Sequence, residues 1–233
     1  MAMSSRWTSL GSVPSHVLTV VFFLLVSSWA CVSCHRSRGC KNTDIQVMTN
    51  TGARIEPYET SRIELELGEP KNRKNKKLRL SFEFRTTSAN GTLFYGRTDK
   101  YPNEVIALLL RNGRPVYKIQ CPSLHADVHL PAVKFEPLND NKWHTVYYTV
   151  RFGRDGNRSV IQIDGHSHTT RYDVNCEHFT AIVMGGHSPD DVGTRFQSDV
   201  EATQGHFEGC IRQVGVSYPL SALPKYYVVS QCE

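Results

Sequence analysis

Apolar and polar residues alternate in short runs along most of this chain. In LRLSFEF (78–84), Leu78, Leu80, Phe82 and Phe84 alternate with Arg79, Ser81 and Glu83. RIELEL (62–67) alternates apolar with acidic positions, and in TVYYTV (145–150) Val146, Tyr148 and Val150 share one parity. A period of two belongs to strands with one face in a core and the other outside. GTLFYG, VIALLL, PVYKIQC, VHLPAV, SVIQID, AIVMGG and FEGCIRQV are equally short, each bounded by Gly, Pro, Asn or Asp. No stretch after residue 52 keeps a long helical period. Many short strands at this spacing predict an all-β sandwich. Asn90-Gly91 and Asn112-Gly113 read as two-residue turns, and RDGN (154–157) as another.

The same patterning marks the boundaries. VLTVVFFLLV (17–26) is an apolar run preceded by Arg6 and followed by Ser27, Ser28 and Ala30. That is the layout of a secretory signal peptide, expected over residues 1–30. The run is short of the 20 or so apolar residues that span a bilayer. No second such run follows, so no membrane span is expected in the mature chain. Residues 31–51 carry clustered cysteines and little periodicity, and read as a tether with a local disulfide. Residues 52–233 read as one domain, long enough for a good core.

Composition supports an extracellular compartment. In a secreted chain, the seven cysteines (31, 34, 40, 121, 176, 210 and 232) read first as disulfides. Asn90-Gly-Thr and Asn157-Arg-Ser are N-glycosylation sequons. Formal net charge is +5, or +4 once Arg6 leaves with the signal, which is mild.

NDNKWHTVYYTV (139–150) sets a Trp beside a His where a strand begins. His144 shares the parity of Val146, and no Ser, Cys or Asp stands near at triad spacing. We read His144 as a hydrogen-bonded strand-start residue and Trp143 as a plug at the end of the core.

Taken in order, LRLSFEFRTTSANGTLFYG, VIALLLRNGRPVYKI, NDNKWHTVYYTV, SVIQIDG, AIVMGG and FEGCIRQV resemble the laminin G-like (laminin–neurexin–sex-hormone-binding-globulin) domain family. The likeness covers residues 55–233 and is nearest to neurexin-type domains, down to the VVSQCE ending. It implies an antiparallel jelly-roll β-sandwich of about fourteen strands in two sheets. It also implies that Cys210, in FEGC, pairs with Cys232. Such a bridge closes a short loop and contributes about 3 kcal/mol by chain entropy.

The resemblance further implies a Ca²⁺ at one rim, held by two side chains and two backbone carbonyls. Counting back from Asn112-Gly113 and from Gly185-Gly186 maps the side chains to Glu104 and Glu177, with Asp99 and Asp173 as nearby substitutes. Carboxylates suit a hard cation. Cys121 maps to a carbonyl position at this rim and Cys176 directly precedes Glu177, so a Cys121–Cys176 disulfide is expected there. Cys34 and Cys40 are then left to bridge each other in the tether.

KNRKNKKLR (71–79) concentrates six bases, Lys71, Arg73, Lys74, Lys76, Lys77 and Arg79, before a strand. Basic runs of this kind attract heparin-like polyanions or nucleic acid. Secretion disfavours nucleic acid, and the resemblance implies heparan sulfate or another extracellular glycan. Zinc has weaker candidates. His125 and His129, His166 and His168, and Cys31-x-x-Cys34-His35 each lack a full ligand set.

ELELGE (64–69) resembles the paired-acid strand of β-glucanases, which are also jelly rolls. Glu64 and Glu66 share a face, but Glu69 does not, so the required pair of carboxylates is not set up. The expectation is a secreted, non-enzymatic module that binds an extracellular protein or glycosaminoglycan, in adhesion or matrix attachment. A steroid or lipid carrier, needing a polar-studded cavity between the sheets, and a neutral-sugar lectin are the alternatives.

Overall fold

An alternating strand needs a second layer to receive its apolar face. The computed structural model describes residues 45–70, 77–100, 104–121, 124–130, 136–152, 157–172, 176, 178–187 and 207–232. Among the described residues, fourteen strands, numbered in chain order, form two seven-stranded sheets. The first runs β10 (His166–Tyr172), β9 (Asn157–Ile163), β8 (His144–Arg151), β3 (Lys77–Thr86), β12 (Gly209–Val216), β1 (Ala53–Ile55) and β14 (Val229–Gln231). The second runs β13 (Lys225–Tyr227), β2 (Arg62–Glu66), β11 (Ala181–Gly185), β4 (Gly91–Arg97), β5 (Val105–Arg111), β6 (Arg114–Cys121) and β7 (Leu124–His129). Pairing is antiparallel throughout, as a jelly-roll sandwich requires.

The alternation seen in the sequence decides which faces meet. Leu78, Leu80, Phe82 and Phe84 of β3 are buried, beside Val146, Tyr148 and Val150 of β8. Across the interior they meet the second sheet: Phe82 packs edge-on against Phe94 with centroids 6.0 Å apart, and Phe94 lies 5.0 Å from Tyr148. VIALLL departs from alternation because both its faces are covered. Ile106, Leu108 and Leu110 join the main core, whereas Val105, Ala107 and Leu109 cluster on the opposite face with Tyr95, Val116 and Val183. Strands buried on both faces read as continuous apolar runs.

Turns follow their residues. Asn112 (φ 52°) and Gly113 (φ 74°) close the β5–β6 hairpin in the left-handed region. A Cβ at Gly113 would lie 2.1 Å from Asn139 Oδ1, so only glycine fits. Asp164 and Gly165, at φ 49° and 83°, close β9–β10 in the same way. Asn90-Gly91 is not a hairpin turn. It links β3 to β4, which lie in different sheets. Most of RDGN, residues 154–156, lies outside the described residues.

Three further expectations change. The packed unit takes in Ile45 and Val47, placed in the tether by the sequence reading: both belong to the core, and Val47 N donates to the Tyr226 hydroxyl at 3.0 Å. Trp143 is not a core plug. The parity that turns His144 inward turns Trp143 outward, where the Arg212 guanidinium stacks 3.8 Å from its ring centroid. VHLPAV is replaced by a strand ending at His129, with residues 131–135 outside the described set. Residues 1–30, Cys34 and Cys40 also lie outside it.

Candidate functional site

One rim of the sandwich is stapled. Cys121, the last residue of β6, is bonded to Cys176 with Cα atoms 5.5 Å apart, although 55 residues separate them in sequence. Val105 pairs with Gln120, so one step further along this register sets Glu104 opposite Cys121. Glu104 is buried, at 6% exposure. Asp99 is exposed at the turn after β4. Glu177 and Asp173 lie outside the described residues. Among the described residues, no three His, Cys, Asp or Glu side chains gather to hold a metal. Ca²⁺ takes six to eight oxygens, and the described residues of this rim carry two carboxylates, Glu104 and Asp99. At the other end of the chain Cys210 bonds Cys232, which ties the tail to β12.

The basic run reaches the outer face of the first sheet. Its two described members, Lys77 and Arg79, lie on β3 at outward positions flanking buried Leu78. Lys71, Arg73, Lys74 and Lys76 lie outside the described residues. The sequence reading missed three arginines that join Lys77 there. Arg151, Arg158 and Arg171 stand on β8, β9 and β10 in register with it. Each looks ordinary alone; outward parity at a strand end is the one signal available in the sequence.

Other candidate chemistry is already engaged. His144 Nδ1 lies 2.7 Å from Asp164 Oδ2 and its Nε2 lies 2.9 Å from Asp140 Oδ1, so the imidazole ties the start of β8 to the β9–β10 turn. The Asp140 carboxyl is lowered to about 2, first by the backbone N–H of Lys142 and also by the Lys142 and His144 side chains. Glu64 accepts from Arg62 Nε at 2.6 Å, and Arg62 stacks on Tyr227 at 3.7 Å. Glu66 pairs with Lys225. Neither acid is left for paired-carboxylate hydrolysis. His166 and His168 stand on β10 with no third ligand gathered to them among the described residues.

The two sequons differ. Asn90 lies in the sheet crossing, where its Oδ1 accepts from Asn112 N at 2.9 Å. Asn157 is 2% exposed. Ser159 of the same sequon is buried too, bonded at 2.6 Å to Tyr117 Oη.

Tyr117 Oη also lies 3.0 Å from Tyr148 Oη, which makes a buried hydroxyl trio bridging the sheets. Burial, and then the neighbouring phenol, pushes the Tyr117 pKa well up. Burial raises Tyr148 as well and pushes Tyr172 up to about 12.

A laminin G domain family model matches residues 84–217, more than half of the 233 residues. Laminin subunit alpha-1 of Mus musculus is 25% identical over 148 residues, covering 60% of this chain and 4% of that protein. The chain therefore corresponds to a small part of that relative. Among solved structures, domains LG4-5 of the mouse laminin alpha1 chain superpose with a TM-score of 0.57 at 18% identity, covering 84% of this chain and 50% of that one. The LG1-3 region of the laminin alpha2 chain gives 0.56 at 16% identity, covering 79% and 35%. At these identities the structures speak for the fold. Together with the family model over most of its strands, they establish that this chain belongs to the laminin G domain family.

Proposed function

We propose that the chain is a secreted, extracellular, non-catalytic binding module whose partner is a sulfated, heparan sulfate-like glycan, in matrix attachment or adhesion. The observation that carries this reading is the placement of Lys77 and Arg79 on an open sheet face that has no acid across from them on β8. Four more bases directly precede them in the sequence. Charge of one sign on a surface concentrates a polyanion there. A steroid or lipid carrier is less well supported. Three of the hydroxyls between the sheets, those of Tyr117, Tyr148 and Ser159, already bond one another. The reading rests on the basic residues and not on the calcium-type rim.

The test is heparin-column elution of the secreted chain against a protein of equal net charge. Elution at clearly higher salt, lowered by Lys77→Ser with Arg79→Ser, is the expected result. Elution no later than the control rejects the proposal.

A further inference from the structure

The first sheet carries a straight rung of four cations. Lys77 on β3 pairs with Arg151 on β8, Arg151 with Arg158 on β9, and Arg158 with Arg171 on β10. Residues paired in register project to the same side of a sheet. Here that side is outward, because Leu78, Val150 and Asn157, the chain neighbours of the first three, are buried. Arg151, Arg158 and Arg171 are exposed. Neighbouring strands lie about 4.8 Å apart, so the rung spans roughly 14 Å across four strands.

Among the described residues, the two neighbouring rungs carry no acid. The next rung is Arg79, Thr149, Val160 and Thr169, and the one after is Ser81, Tyr147, Gln162 and Ser167. The first acid further along β3 is Glu83, already bonded to Arg212 Nε at 2.7 Å. Among the described residues, none of the four cations takes part in an ion pair.

Like charges directly opposite one another destabilise a sheet. The register cannot slip to relieve this, because a one-residue shift would turn the buried face outward. Positive charge on an edge strand deters aggregation, which accounts for Arg171 on β10. It does not account for Arg151 and Arg158 on interior strands. A local rule broken without local compensation is where a functional site is expected.

We infer that this rung seats a linear sulfated chain lying across the strands, with successive anionic groups meeting successive strands. The cations form a line and do not converge on a point, which matches a repeating anion better than a single one. Three of the four are arginines, whose planar fork binds oxyanions through two hydrogen bonds. This inference rests on the glycan reading above and extends it to three residues on three further strands.

Binding of a heparin oligosaccharide to the secreted chain tests it. The triple variant Arg151→Gln, Arg158→Gln, Arg171→Gln should weaken binding about tenfold or more and reduce the salt dependence by about three released ions, one per cation removed. A variant of equal charge with Arg114→Gln, Lys142→Gln and Lys225→Gln, away from this face, should lose less than about threefold, since spread charge contributes only long-range attraction. If Lys77→Ser with Arg79→Ser weakens binding but the row triple behaves like the control, the glycan reading survives and the rung is overturned. If no variant matters because the chain does not bind, both fall. Equal affinity for duplex DNA, lost in the same triple, would overturn the assignment to a sulfated glycan.

Discussion

Tyr117 shows how much of this interior rests on single polar atoms. Its hydroxyl bonds Tyr148 from one side and Ser159 from the other, in the buried interior. Tyr117→Phe leaves two buried hydroxyls short of a partner and should cost about 1–3 kcal/mol, read by denaturant unfolding. A loss below a few tenths would mean that water already satisfies the site. Little of this was visible beforehand: PVYKIQC announces a strand, but nothing in it says that a phenol two strands further along the chain stands opposite. His144 was legible, because parity and the absence of triad partners both pointed inward. Trp143 was misread because its size favours burial, whereas strand parity places it outside beneath Arg212.

At the scale of the element, the β6 end and the loop before β11 are held by one covalent bond. Closing a loop over 55 residues contributes about 4 kcal/mol in the chain-entropy account. Cys121→Ala with Cys176→Ala should therefore lower unfolding stability by about 2–4 kcal/mol, while hydrogen exchange in β3 and β8 stays protected relative to the rim. Equal loss of protection everywhere would show that the staple supports the whole sandwich and not one edge. The long strands β3 and β8 were legible from their alternation. The three-residue strands β1, β13 and β14 were not, since three residues are too few to display a period. Asn90-Gly91 carried turn chemistry but no information about which sheet would come next.

Across the whole molecule, the buried phenols make stability fall at high pH. Their folded pKa values lie above the ordinary value of 10.0, with Tyr172 at about 12. Below pH 10 folded and unfolded chains hold the same phenolic protons. Above it the unfolded chain releases them first, and stability declines until the folded pKa is passed. For Tyr117 and Tyr148 the decline is about 1.4 kcal/mol per pH unit each. Alkaline titration should show fewer phenolates in the native chain than in denaturant at pH 11, and Tyr148→Phe should flatten the stability profile above pH 10. Stability that holds level to pH 12 would contradict this. Glycan binding on the first sheet should survive chelation of divalent ions, because Glu104 and the stapled rim lie on the second sheet; loss of heparin binding in a chelator would tie the two together.

By itself the sequence determined the fold class. A period of two, turn residues at strand ends and ordered motifs are local properties, and burial converts them directly into two facing sheets. The partnership of Cys121 with Cys176 was reached by mapping a known pattern, and the structure sets both at one rim. Only the tertiary structure decided which surfaces are available. It enclosed Asn157, turned Trp143 outward, and aligned Arg151, Arg158 and Arg171 with Lys77. The reason is that register between strands is a relation among residues distant in the chain. It is fixed by the shared interior and leaves no trace in the local pattern of any one strand.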